Sequence, residues 1–157
     1  MITKTHQGSC HCGAVRFEVD VDATKGSRCN CSICTKTAIT SAIARPDALR
    51  VTQGEDALRT YQWGGKSGTR YFCAHCGIHV FARGDLPELG GAYASVNLNA
   101  LDDVDVAEVE LGYFDGRHNN WYGGLRDKPW PIFTGAPTEW TAPVIGRPAD
   151  PTKPKAA

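Results

Sequence analysis

The sequence predicts a mainly β domain stapled by zinc, and three observations carry that expectation. Short runs of alternating apolar and polar residues recur along the chain between Gly-rich turns. Helical patterning is confined to one or two short stretches. Seven cysteines fall in three tight groups, Cys10-His-Cys12, Cys29-Asn-Cys-Ser-Ile-Cys34 and Cys73-Ala-His-Cys76.

With 157 residues the chain has the size of one ordinary domain, placed here at residues 1–140, with a Pro-rich tail at 141–157 expected to be irregular or disordered. Seventeen acids balance seventeen bases, so no global field argues for nucleic acid or an anionic membrane. The N-terminus carries no apolar signal region and no run approaches a membrane span, which predicts a cytoplasmic protein with reduced thiols. The odd number of cysteines also argues against a disulfide framework. Cys10/Cys12 and Cys29/Cys31 are too close in sequence to bridge within their pairs without heavy strain.

Along the chain, Val15, Phe17, Val19 and Val21 alternate with polar residues, the signature of a half-buried strand. Cys10 and Cys12 precede it, and at i, i+2 in an extended segment both would face one side. Residues 22–28 read as a turn. A helical turn is expected at 32–37 and a strand at about 38–45; free N–H groups at the helix start, with Lys36 nearby, would favour thiolates. Pro46–Arg50 reads as a turn or single helical turn, and 57–63 as a strand with Leu58 or Tyr61 inward.

Gly64-Gly-Lys-Ser-Gly68 reads as a hairpin loop. It lacks the upstream glycine and following helix of a phosphate-binding loop, which excludes nucleotide binding there. Thr69–Cys73, the Cys73–Gly77 turn and Ile78–Arg83 form a strand–knuckle–strand unit that aims two sulfurs at one point. No thioredoxin-like βαβ pattern surrounds this CxxC to make it a redox dithiol. Residues 84–91 read as a loop, 92–99 as a strand, 101–105 as a turn or short helix, and 106–111 as alternating again. Tyr113–Trp121 is polar with aromatic edges, suited equally to a pocket mouth or to a surface loop whose polar groups are satisfied.

The cysteines divide most simply into four and three. Four thiolates close a tetrahedral zinc site, whereas three leave a position open for catalysis. Cys10 and Cys12 are the best partners for Cys73 and Cys76, although the triad could lend a sulfur instead. An open three-thiolate zinc favours joining a thiol to an aldehyde, or the reverse cleavage. If His11, His75, His79 or His118 fills the fourth position, the alternative is a non-enzymatic zinc-stapled binding module.

Three segments also carry a family resemblance. Gly8-Ser-Cys-His-Cys-Gly-Ala-Val, Cys29-Asn-Cys-Ser-Ile-Cys-Thr-Lys and Arg70-Tyr-Phe-Cys-Ala-His-Cys-Gly resemble the signatures of the glutathione-dependent formaldehyde-activating enzymes, which include centromere protein V-like members. Asn97–Asp105 and Phe114–Arg117 are similar to weaker landmarks of that family. The resemblance implies a β-tent-like fold of short coiled antiparallel sheets. It implies two zinc ions per chain, a structural one at Cys10, Cys12, Cys73 and Cys76 and a catalytic one at Cys29, Cys31 and Cys34. It further implies carbon–sulfur lyase chemistry on glutathione and formaldehyde, forming S-hydroxymethylglutathione. Ile78 departs from the small Ser or Thr expected after the knuckle glycine. No motif marks a glutathione pocket, but an anionic tripeptide calls for basic and amide groups, for which Lys36, Arg45, Arg83, Arg117 and Asn119 are the candidates.

Overall fold

The computed structural model describes residues 2–132 and 144–146. Two sheets share one core. The smaller runs β1 (Lys4–Ser9), β2 (Arg16–Val21), β5 (Leu49–Gln53), with β2 in the middle and antiparallel to both neighbours. The larger contains β3 (Lys25–Cys29), β4 (Ser41–Ala44), β6 (Leu58–Gln62), β7 (Gly68–Cys73), β8 (His79–Leu86), β9 (Gly91–Asn97), β10 (Glu110–Phe114) and β11 (Val144–Gly146). Its order is β10-β3-β4-β9-β8-β7-β6-β11. The mainly β expectation therefore holds, and the expected helical turn is α1 (Ser32–Thr37).

The alternation in β2 does what its pattern demands. Val15, Phe17 and Val19 are wholly buried, while Arg16, Glu18 and Asp20 face outward. Phe17 meets Phe81 of β8 edge to face, ring centroids 5.5 Å apart, joining the two sheets at the centre. Leu58, Val80, Val96 and Leu98 complete this layer. Each such side chain contributes roughly 1.5–3 kcal/mol through burial, so the core rests on a few positions that alternate with solvent-facing ones.

Several local expectations change. Lys25–Cys29 is a strand rather than part of a turn, because it pairs in parallel with β10, Glu110 opposite Lys25 through Phe114 opposite Cys29. Its small Gly26 and Ser27 are buried there, so what looked like turn chemistry is close packing. Among the described strands this is the one parallel pair; the other pairings are antiparallel, as expected. Cys10–Gly13 is a turn, closed by Gly13 N–H donating to Cys10 O at 3.1 Å, not an extended lead-in. The polar Lys4–Ser9 segment forms β1, which alternation did not mark. The strand expected at about 38–45 is shorter, Ser41–Ala44. The loop expected at 84–91 shrinks because β8 runs on to Leu86 before a single 3-10 turn at Pro87–Leu89. Val106–Glu108 is a 3-10 turn, so the alternation expected at 106–111 becomes strand only from Glu110.

Of the Pro-rich segment 141–157, all but the short β11 lies outside the described residues. Among the described residues, no helix is long and apolar enough to cross a membrane.

Candidate metal centres

The folding of β7 and β8 builds the knuckle. Cys73 N–H donates to Ile78 O at 3.0 Å and Gly77 N–H to Cys73 O at 2.8 Å, so the chain reverses within five residues. Gly77 holds φ of +74°, a backbone region that residues with a Cβ rarely occupy. The Ile78 side chain is partly exposed, and its backbone, not its side chain, serves the turn.

Against this knuckle lies the Cys10–Gly13 turn. The sulfurs of Cys10, Cys12, Cys73 and Cys76 all lie within 4.8 Å of one another. Cys10 and Cys12 Sγ are 3.6 Å apart, and Cys12 and Cys73 Sγ are 3.7 Å apart. A zinc tetrahedron with Zn–S near 2.3 Å has edges of about 3.8 Å, so the four sulfurs fit one ion. In this geometry Cys10, Cys12, Cys73 and Cys76 form one group, and the sulfurs of Cys29, Cys31 and Cys34 lie in another.

Backbone N–H groups point at the sulfurs, Val15 N to Cys10 Sγ at 3.3 Å and His75 N to Cys73 Sγ at 3.4 Å. Such bonds favour thiolate over thiol. Burial opposes ionisation at Cys76, but the N–H groups of Cys12 and Ile78 and the adjoining thiols outweigh it and bring the group down to about 6.

The second group is Cys29, Cys31 and Cys34, again with all sulfurs within 4.8 Å. Cys29 ends β3, Cys31 caps α1, and Cys34 lies in the first turn of that helix. Cys31 N–H donates to Cys29 Sγ at 3.4 Å. Hydrogen bonds from the Cys29 and Cys34 thiols, strengthened by the Arg70 charge, pull Cys31 far below an ordinary thiol, while the same crowding pushes Cys29 up. Three sulfurs this close cannot all ionise without a cation to offset their repulsion. Both cysteine clusters could therefore hold a metal ion, and among the described residues no histidine or carboxylate joins either.

Around the three-sulfur group the sequence reading missed several residues. Asn30, between two of the cysteines, is buried; its Nδ2 donates to Asp115 Oδ1 at 2.9 Å and to Pro131 O at 3.2 Å. Its Oδ1 accepts from Arg117 N–H at 2.9 Å. Asp115 also lies 2.9 Å from His118 Nδ1. Gly116 packs so closely that a Cβ there would collide with Cys29 Sγ and meet the Trp121 ring at 2.9 Å. Trp121 in turn contacts Phe114, centroids 5.6 Å apart, so an aromatic wall backs the site. The Phe114-Asp-Gly-Arg117 landmark was the available signal, but without a fold it gave no contact.

Of the histidines weighed as fourth ligands, His11, His75 and His118 are exposed, and His79 lies 3.0 Å from Phe81 O through Nε2. The basic and amide candidates separate in space. Lys36 rides exposed on α1. Arg117 and Asn119 belong to the turn that covers Cys29, with Asn119 in a left-handed conformation. Arg45 pairs with Asp47 at 3.3 Å, beyond the far end of β4. Arg83 donates at 2.7 Å to both Pro46 O and Leu49 O.

Comparison with known proteins agrees with this arrangement. The family model for glutathione-dependent formaldehyde-activating enzyme matches residues 5–117, a span that includes all seven cysteines. A Halomonas elongata relative named "Putative glutathione-dependent formaldehyde-activating enzyme" is 31% identical over 150 residues, spanning 76% of this chain and 95% of that one. A crystal structure of a Rhodobacter sphaeroides protein matches with a TM-score of 0.62 and 31% identity, over 69% of this chain and 99% of the other.

Proposed function

Because this chain belongs to the glutathione-dependent formaldehyde-activating enzyme family, we propose that it is a zinc-dependent carbon–sulfur lyase. It would join glutathione, or another small thiol, to formaldehyde or a related carbonyl, or run the reverse cleavage. The observation that carries this reading is the division of seven cysteines into a closed group of four and a separate group of three. In the proposal, Cys10, Cys12, Cys73 and Cys76 hold a structural zinc, and Cys29, Cys31 and Cys34 hold the catalytic one.

In the addition, the sulfur lone pair forms the new C–S bond and the carbonyl π pair moves to oxygen. The thiol proton ends on that oxygen, giving the hydroxymethyl thioether. A zinc ion held by Cys29, Cys31 and Cys34 would supply Lewis acidity. The three cysteines serve as ligands and not as nucleophiles. Asn30 and Gly116 hold the Cys29–Cys31 segment in place, while Phe114 and Trp121 back it with an apolar wall. Lys36, Arg117 and Asn119 stand on the segments that frame the group and are the nearer candidates for the tripeptide's carboxylates; Arg45 and Arg83 lie beyond the far end of β4.

The test is zinc loading with a measured metal-to-chain ratio, followed by NMR exchange of ¹³C-formaldehyde with glutathione against the spontaneous rate. Two zinc ions and faster exchange are expected. Two ions without acceleration would redirect the reading to another thiol or carbonyl. One ion after full loading would overturn the two-site arrangement.

A further inference from the structure

The residue that sets the charge beside the three-sulfur group stands inside a sequence signature but was not among the candidate site residues. Arg70, on β7, reaches across so that its Nη2 lies 4.0 Å from Cys34 Sγ. It is half-buried. Among the described residues, the carboxylates that form ion pairs do so with other partners, and none pairs with Arg70.

A guanidinium does not lose its proton in a protein, and partial burial favours a counter-charge beside it. Its other neighbours do not supply one. A Cβ placed on Gly68 would lie 3.6 Å from the Tyr93 hydroxyl and 3.9 Å from Arg70 Nη1, so phenol and guanidinium converge there. Burial holds the Tyr93 phenol protonated, and burial together with the Arg70 charge holds His79 neutral. The sulfurs are the anions that remain.

We propose that Arg70 is the positioning residue that balances the charge of the Cys29, Cys31 and Cys34 thiolates and so lets their metal accept an anionic thiolate as fourth ligand. This rests on the metal reading under Proposed function. Three thiolates around a divalent ion sum to one net negative charge. An incoming thiolate makes it two, and the guanidinium returns it to one. A neutral fourth ligand gains no such benefit. Arg70 therefore selects for thiolate over a neutral nitrogen donor, a discrimination that the three cysteines alone do not provide.

The test uses the full chain loaded with cobalt(II) in place of zinc, whose visible spectrum reports the fourth ligand. The probes are 2-mercaptoethanol, which binds as thiolate, and imidazole, which binds neutral. In R70M, thiol binding should weaken about tenfold or more while imidazole binding stays unchanged, and R70K should restore most of the thiol affinity. Should R70M fail to fold, R70Q is measured in the same way. Wild-type thiol affinity in the uncharged variant, equal loss of both ligands, or a lysine variant no better than the uncharged one would each overturn the assignment. None of these readouts requires turnover. A wild-type protein that binds thiol in this way but does not accelerate formaldehyde exchange would sink only the proposed substrate.

Discussion

Asn30 donates from Nδ2 to Asp115 Oδ1 at 2.9 Å, across 85 residues of sequence. This bond fastens the turn between Cys29 and Cys31 to the end of β10, and it works because both side chains are buried. A hydrogen bond to a buried carboxylate is worth roughly 1.5–3 kcal/mol. Asn30→Ala should therefore destabilise the domain by about 2 kcal/mol, read from its urea denaturation midpoint. It should also loosen the three-sulfur metal while sparing the four-sulfur one, read by graded chelation.

Gly116→Ala tests the closest approach at the site. The added methyl would strike Cys29 Sγ, and the Trp121 ring leaves it no room on the other side. Overpacking of this kind costs about 1–3 kcal/mol. Thermal melting should show that loss, and metal analysis should show impaired binding at Cys29. A variant with a full metal complement and wild-type melting would refute the close packing.

The two cysteine groups should respond differently to loss of one ligand. Cys31→Ser should lower the metal content from two ions to one and abolish turnover, with the circular dichroism spectrum unchanged. Cys76→Ser should lower the melting temperature of the whole domain, because a structural zinc contributes folding energy directly. Metal analysis and calorimetry on both variants separate the roles. If the Cys76 variant melts like wild type, the structural assignment fails.

Acid should destabilise the protein partly through His79. Burial, with the Arg70 charge, lowers its pKa from 6.5 in the unfolded chain to about 4 in the folded one. The unfolded state thus binds more protons, so this contribution is fully present above pH 6.5 and is lost as the pH falls through 4. The difference amounts to about 3 kcal/mol at most. Denaturation at stepped pH should show a shallower decline in His79→Gln than in wild type over that window. Parallel curves would refute it.

Legibility from sequence followed chemistry more closely than shape. The alternation of Val15, Phe17, Val19 and Val21 reported a buried face directly, and the cysteine spacings pointed to the grouping of four and three sulfurs that the fold assembles. The strand Lys25–Cys29 was hidden because its burial comes from pairing with β10, some 85 residues later, not from apolar residues of its own. The Cys10–Gly13 turn was hidden because Cys-x-Cys is equally compatible with an extended segment. Arg70 stood inside a recognised signature, but its neighbour Cys34 lies 36 residues away in sequence. Asn30 and Asp115 were hidden for the same reason: each is an ordinary polar residue until the fold places the other beside it.

Strand β7 carries Arg70 near its middle and Cys73 at its end, three residues apart on one rigid element. The two centres are therefore unequal in what each can lose. Loss of the four-cysteine group would loosen the strand that presents Arg70, and so would reach both centres. Damage to the three-cysteine group leaves β7 anchored. If the three-cysteine group carries the proposed chemistry, a lineage descended from this protein could shed that chemistry and keep the scaffold, but not in the opposite order.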